Sequence, residues 1–231
     1  MDRRPEAREI ETMASSEPFH DTSTADLPVR GFLHRASNPL ADGLVLTHGA
    51  GSNCQAPLLA ALAEAFCAAG LTVLRCDLAF RQSRPSGPPP RGSAERDQAG
   101  LRAAVASMRR ETRGRIFLGG HSYGGRQASM LAASNPALVE ALLLLSYPLH
   151  PPKRPAELRT NHFPDLKTPA LFVHGARDGF ATHAEIEGAL ELVPARTELL
   201  SIPNAGHELI STRNRADLPD CIVKAFLSFV G

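Results

Sequence analysis

Apolar positions along this chain fall into two kinds of run, and the two kinds alternate. Short, nearly unbroken apolar stretches occur at "GLVLTHG" (43–49), "LTVLRCD" (71–77), "RIFLGG" (115–120), "VEALLLLSYP" (139–148), "PALFVHG" (169–175) and "TELLSIP" (197–203). Their length and continuity predict buried strands, and "VRGFLHRA" (29–36) predicts one more. Between them lie longer stretches: "PLLAALAEAFCAAG" (57–70, closed by Gly70), "SAERDQAGLRAAVASMRRE" (93–111), "GRQASMLAAS" (125–134), "HAEIEGALELV" (183–193) and "DLPDCIVKAFLSFV" (217–230). These predict helices, the second opening at Ser93 with Asp97 near the position a capping box would use. "RPSGPPPRG" (84–92) predicts a loop, because consecutive prolines fix φ and remove donors.

Strands that are continuous apolar runs, each followed by a helix, predict an α/β class. The expected architecture is a doubly wound, mostly parallel sheet with helices on both faces. The 231 residues, 43% of them hydrophobic, suffice for one core, so residues 27–231 are expected to form a single domain. Residues 1–26 are polar and acidic without periodicity and predict a flexible tail. Met13 opens "MASSEPFH", and a start there would remove much of that tail.

Charge narrows the partners. Twenty-five Lys and Arg against 24 Asp and Glu leave +1, with no basic block to track a phosphate backbone, so no nucleic-acid partner is expected. Cys54, Cys67, Cys76 and Cys221 show no CxxC or zinc-type spacing and predict free thiols. Nowhere do eighteen apolar residues run together, and no apolar segment follows the charged first residues. A soluble, cytoplasmic protein with no membrane partner is expected. No GxxxxGK[ST], GxGxxG or HExxH occurs, so the expectation is no cofactor and no metal.

In a sheet of this class, ligands meet the carboxyl ends of the strands, so chemistry is sought just after each apolar run. Four ends carry small residues: His48-Gly49-Ala50-Gly51, Gly120-His121-Ser122-Tyr123-Gly124, His174-Gly175-Ala176-Arg177-Asp178 and Asn204-Ala205-Gly206-His207. Three of them supply Ser, Asp and His in that order. Gly120 and Gly124 flank Ser122, strand before and helix after, which is what a nucleophile elbow needs: a side chain at either flank would strike the neighbouring strand or helix. Serine is a weak nucleophile in water and requires a base in hydrogen-bonding reach, itself oriented by a carboxylate. His207 is the expected base and Asp178 the expected orienting acid. Two backbone N–H groups are needed for an oxyanion hole, one from Tyr123 and the other from Ala50, with Gly51 the alternative. His48 and His174 are expected to be structural.

Only "PLHPPKRPAELRTNHFPDLKT" separates the fifth predicted strand from the next, too short for a lid domain. Its prolines predict a stiff flap over an open site. His150, Arg159 and His162 on this flap, with Arg81 and Arg84 after "LTVLRCD", are candidate substrate contacts that would favour an anionic ligand.

The order Ser, Asp, His on alternating strands and helices resembles the α/β-hydrolase fold from about residue 28 onward. "YPLHPP", "THGAGS", "LRCDLAFR" and "GGHSYGGR" resemble more closely a small lidless family. Its bacterial members are labelled dienelactone-hydrolase-like, and its eukaryotic relatives include testis-expressed and non-specific-lethal chromatin-complex proteins. The resemblance implies Ser122, Asp178 and His207 as a triad and implies no substrate. True dienelactone hydrolases carry cysteine at the elbow where Ser122 stands, so that label does not transfer as an activity. The sequence thus points to a serine hydrolase acting on a small-molecule ester or thioester through an acyl-enzyme. The alternative is a non-catalytic binding or scaffold protein on the same fold.

Overall fold

The computed structural model describes residues 15–24, 27–37 and 39–231. Its strands are β1 (Ser15–Asp21), β2 (Val29–Arg35), β3 (Gly43–Thr47), β4 (Thr72–Cys76), β5 (Ile116–His121), β6 (Ala141–Leu145), β7 (Ala170–Gly175) and β8 (Thr197–Ile202). They form one sheet in the order β1-β2-β4-β3-β5-β6-β7-β8. From β4 to β8 every neighbour is parallel, whereas β2 runs antiparallel to β4 and β1 antiparallel to β2.

The helices are α1 (Pro57–Ala68), α2 (Ala79–Ser83), α3 (Ala94–Glu111), α4 (Tyr123–Ser134), α5 (His183–Leu190) and α6 (Leu218–Val230). One core layer joins Leu142 and Leu144 of β6 to residues of α3, α4 and α5. The other joins Leu143 and Leu145 to α1 and α6. Successive side chains of a strand point to opposite faces, so a strand covered on both sides must be apolar throughout. That is why "ALLLL" is an unbroken run and is wholly buried.

Two elements depart from expectation. Residues 15–21, expected within the tail, are the edge strand β1, paired along its length with β2. Backbone pairing carries little side-chain signature at a polar edge, and here the strand is pinned from outside its own sequence. Asp21 accepts from the Ser107 hydroxyl and the Arg110 guanidinium of α3, and from the Ser23 N–H. The Ser107 bond is the largest of the effects that hold its carboxyl at about 2. Arg35 bridges Glu17 at 3.1 Å and Glu111 at 2.7 Å. Residues 1–14, with Met13, lie outside the described residues. The second departure is α2, five residues immediately after β4 and too short to show periodicity, which becomes important below. Asp97 does not cap α3; its carboxylate accepts instead from the Phe80 N–H (2.9 Å) and the Tyr123 hydroxyl (2.8 Å).

The flap after β6 holds no lid domain. A single 3-10 turn, Phe163–Asp165, presses Phe163 against Tyr147 and Phe172, and the Tyr147 hydroxyl donates to the Arg159 carbonyl at 2.7 Å. Among the described residues no helix is long and apolar enough to cross a membrane.

Candidate active site

β5 delivers Ser122 into a backbone conformation that few non-glycine residues adopt, φ 50° and ψ −116°. The turn is held by its own hydrogen bonds: the Ser122 N–H donates to the Leu145 carbonyl (2.8 Å) and the Arg126 N–H to the Ser122 carbonyl (3.0 Å). The flanking glycines are steric necessities. A Cβ on Gly120 would lie 2.6 Å from the Gly124 carbonyl carbon and the Gly125 nitrogen, and one on Gly124 would lie 2.5 Å from the His48 carbonyl oxygen.

The loops after β7 and β8 bring the other two residues to this serine. The Ala176 N–H donates to the Ile202 carbonyl and the Arg177 N–H to the Ala205 carbonyl, clasping the two loops together. Gly175 permits this approach, since a Cβ there would lie 2.5 Å from the Gly206 carbonyl oxygen. The Ser122 hydroxyl then donates to His207 Nε2 at 2.8 Å, and His207 Nδ1–H donates to Asp178 Oδ2 at 2.8 Å. The second oxygen of Asp178 accepts from the Phe180 N–H at 2.9 Å. Burial works against ionisation of Asp178, but the His207 and Phe180 hydrogen bonds outweigh it and hold the carboxyl below the usual range.

Two rings pack against His207. Phe180 lies at 4.2 Å and His121 at 5.1 Å between ring centroids, with His121 Nε2–H donating to the His207 carbonyl at 2.8 Å. Burial lowers the His121 pKa, so this neighbour stays neutral and does not oppose a charge on His207. Neither Phe180 nor His121 was anticipated from sequence. The only trace of the first is its place two residues after Asp178 in a tight Asp-Gly-Phe turn, and of the second its place directly before the serine.

The loop 48–52 faces the serine from β3. The Leu78 N–H donates to His48 Nε2 (3.1 Å), which leaves the ring's proton on Nδ1, and that proton is donated to the Gly49 carbonyl (2.8 Å). Burial lowers the His48 pKa and keeps this neutral tautomer. Next along the loop, the Ala50 carbonyl accepts from Arg81 at 2.9 Å and the Ser52 carbonyl accepts from Arg81 Nε at 2.7 Å. In a trans peptide the N–H points opposite to the preceding C=O. With the Gly49 and Ala50 carbonyls tied back, the Ala50 and Gly51 N–H groups are turned away from those ties. The Tyr123 N–H sits at the first turn of α4, where it has no intrahelical acceptor.

Of the candidate substrate contacts Arg81, His150, Arg159 and His162, three are otherwise engaged. Arg81 is buried on α2 and spends its guanidinium on the carbonyls of Ala50, Ser52, Arg84 and Gly87, so it is a brace rather than a contact at the mouth. His150 is buried, donates through Nδ1 to the Pro151 carbonyl and turns Nε2 toward Glu185 at 3.6 Å, on the α5 side. His162 meets the Ser129 hydroxyl at 2.8 Å and packs on Phe163, tying the flap to α4; burial lowers it to about 4. Position after a strand end places a residue in the right region but does not say which side of a flap it faces. Arg159 keeps most of its donors, with one bond from Nη1 to the Pro148 carbonyl at 3.2 Å. His174, expected to be structural, donates through Nε2 to the Ala181 carbonyl at 2.9 Å.

A cavity of about 390 Å³ opens beside the loop, walled by Gly49, Leu58, Leu59, His121, Glu208 and Ile210 among others. Gly49 stands between this cavity and the serine: a Cβ there would lie 3.5 Å from Ser122 Cβ. Among the described residues no group of three or more His, Cys, Asp or Glu side chains is placed to hold a metal ion.

Comparison with known proteins bears on the fold and the family. A family model described as an alpha/beta hydrolase domain matches residues 41–225. Among curated proteins, the "Putative carboxymethylenebutenolidase" of Escherichia coli (strain K12) is 32% identical over 101 residues, 40% of this chain and 36% of that protein. The matched region thus spans little more than a third of that relative's length. Among solved structures, a dienelactone hydrolase from Anabaena variabilis superposes with TM-score 0.73 at 23% identity, covering 95% of this chain and all of that one. A Xanthomonas campestris a/b serine hydrolase without lid superposes with TM-score 0.72 at 17% identity, covering 95% of this chain and 96% of that one. With its lidless, mostly parallel sheet and a family match over most of its length, the chain belongs to the alpha/beta hydrolase domain family.

Proposed function

We propose that the protein is a serine hydrolase cleaving a small ester or thioester through an acyl-enzyme. The observation that carries this is the unbroken relay Ser122 Oγ to His207 Nε2 to Asp178 Oδ2, with 2.8 Å at each step, on a strained elbow. Ser122 Oγ attacks the substrate carbonyl while His207 Nε2 takes its proton, and Asp178 stabilises the imidazolium through Nδ1–H. Negative charge developing on the carbonyl oxygen is met by the N–H groups of Tyr123 and Ala50, preorganised so that no reorganisation accompanies the reaction. The imidazolium then protonates the leaving alcohol or thiol, and water repeats the sequence to release the acid and free Ser122. The cavity behind Gly49 suits an apolar arm of the substrate. Three of the four cysteines are buried free thiols, which fits the reducing cytoplasm.

The test is labelling with a fluorophosphonate, followed by intact mass. One adduct per chain on wild type, absent from Ser122→Ala and His207→Ala, is the expected result. A folded wild type that takes no adduct would remove the hydrolase reading and favour the non-catalytic binding protein.

Arg81 provides a second test of the same reading. It orients the loop without touching substrate, so Arg81→Met is expected to lower kcat by about ten- to a hundredfold with KM little changed, somewhat less than deleting an oxyanion donor outright. Steady-state kinetics on any ester that wild type turns over reads this directly. A rise in KM at constant kcat would return Arg81 to the role of a substrate contact.

A further inference from the structure

We propose that Arg126 and Arg159 form an oxyanion-binding site one helical turn beyond Ser122, and that its occupant is a carboxylate or phosphate carried by the substrate. The proposal rests on the hydrolase reading above and names the class of ester that the site prefers.

Arg126 lies on α4, its backbone N–H bonded to the Ser122 carbonyl. Gly124 and Gly125 of the same turn face β3 and β5, as their contacts with His48, Thr47 and Gly120 show. Arg126 therefore stands on the side of α4 away from the sheet, and Ser129, one turn on, meets His162 of the flap. Among the described residues the Arg126 guanidinium forms no ion pair; it reaches the Tyr147 hydroxyl, and its Nε is buried without a partner. Arg159 reaches the same place from the flap. Its backbone is fixed by the Tyr147 hydroxyl on its carbonyl and by its own N–H on the Leu149 carbonyl, and its guanidinium spends one donor on Pro148.

The two guanidinium groups lie within electrostatic reach of each other. Burial and then the charge of Arg126 lower the Arg159 pKa, and the Arg126 charge is also felt at Tyr147 and His162, which close the cluster. The acidic groups nearby offset it only in part: Glu157 pairs with Arg154 while its charge also reaches Arg159, and the exposed Asp165 acts on His162, but among the described residues neither forms an ion pair with Arg126 or Arg159. Two partly desolvated like charges with an unused buried donor are costly unless an anion completes the set. Guanidinium forks match the geometry of carboxylate and phosphate, and the N-terminal end of α4 adds to the attraction. One turn of helix is 5.4 Å, so an anion held here sits a few bonds from a carbonyl at Ser122. Half-esters of short dicarboxylic acids, or esters bearing a phosphate at similar distance, have that shape.

The experiment compares monoethyl esters of succinic, glutaric and adipic acid with the matching ester amides, in which a neutral carboxamide replaces the free carboxylate. Acid release is followed in a pH-stat. For wild type, kcat/KM for the anionic ester is expected to exceed that for its neutral partner by tenfold or more at one chain length, and the ratio should shrink as salt rises. In Arg126→Met and in Arg159→Met that ratio, taken within each variant, should fall to near one. Arg126→Lys, which keeps the charge, should retain part of it. Inorganic phosphate should compete with the anionic esters and raise their KM. No preference at any length, or one that survives both Met variants, overturns the proposal. Phosphate that accelerates neutral esters without competing would instead make a free anion the occupant and overturn the substrate-borne assignment. If no ester is cleaved and the fluorophosphonate does not react, the hydrolase reading has failed separately. Calorimetry of phosphate binding to wild type and Arg126→Met then decides the site on its own.

Discussion

Asp178→Asn is expected to leave the protein folded and to lower kcat by about four orders of magnitude, the loss typical when the orienting acid of such a triad becomes an amide. The size follows from the two bonds that Asp178 makes. One oxygen accepts from the Phe180 N–H and the other from His207 Nδ1–H. Asparagine has one carbonyl oxygen. If that oxygen keeps the Phe180 bond, the amide NH2 faces His207 and can be satisfied only by an unprotonated Nδ1. The imidazole proton then sits on Nε2, where it cannot accept from Ser122. Loss of the carboxylate also leaves the imidazolium unpaired in a site that is largely closed to solvent. Chromogenic ester kinetics beside a melting curve separates this from unfolding. A variant within tenfold of wild type would mean that another group orients His207, and the role given to Asp178 would have to be withdrawn.

Much of this site was legible because the chemistry lies where a doubly wound sheet must put it. The ends of β3, β5, β7 and β8 could be read from apolar runs alone, and the glycines and small residues following them marked the loops that meet there. The parts that were not legible share a cause. β1 is polar, and its docking depends on Ser107 and Arg110 of α3, far away in sequence. α2 is five residues long, so no periodicity announced it, and without it Arg81 looked like a free cation after a strand. Its four carbonyl partners come from two loops, one of them about thirty residues earlier in the chain, a pattern no local window contains. His150 and Arg159 belong to one flap, yet one turns toward α5 and the other toward α4. The side on which each falls is decided by Tyr147 and Phe163, which anchor the flap through tertiary packing.

The glycines of the elbow divide into those that the fold cannot spare and those it can, and the division predicts the second large effect. Gly124→Ala is expected to destabilise the protein and to impair it as an enzyme, because the added Cβ would sit 2.5 Å from the His48 carbonyl oxygen and 2.7 Å from Thr47 Cγ2. The first of these is backbone and cannot rotate aside, so α4 must move off β3. Overpacking of this kind costs about 1–3 kcal/mol, or roughly 2–4 °C of melting temperature per kcal/mol in a chain of this size. The movement does not stay local. His48 begins the loop whose Ala50 N–H is proposed as an oxyanion donor, and α4 carries both Ser122 at its cap and the Tyr123 N–H. Separating them widens the oxyanion hole from both sides, and a loss of about a hundredfold in kcat is expected, comparable to removing one donor. Gly120→Ala should behave alike, its Cβ meeting the backbone of Gly124 and Gly125 at 2.6 Å. Gly51→Ala is the control: a Cβ there meets nothing within 4 Å, so its melting temperature should match wild type. Melting curves and initial rates on the three variants test the ordering, and Gly124→Ala with wild-type stability and rate would show that the strand and helix are not held at the spacing the elbow requires.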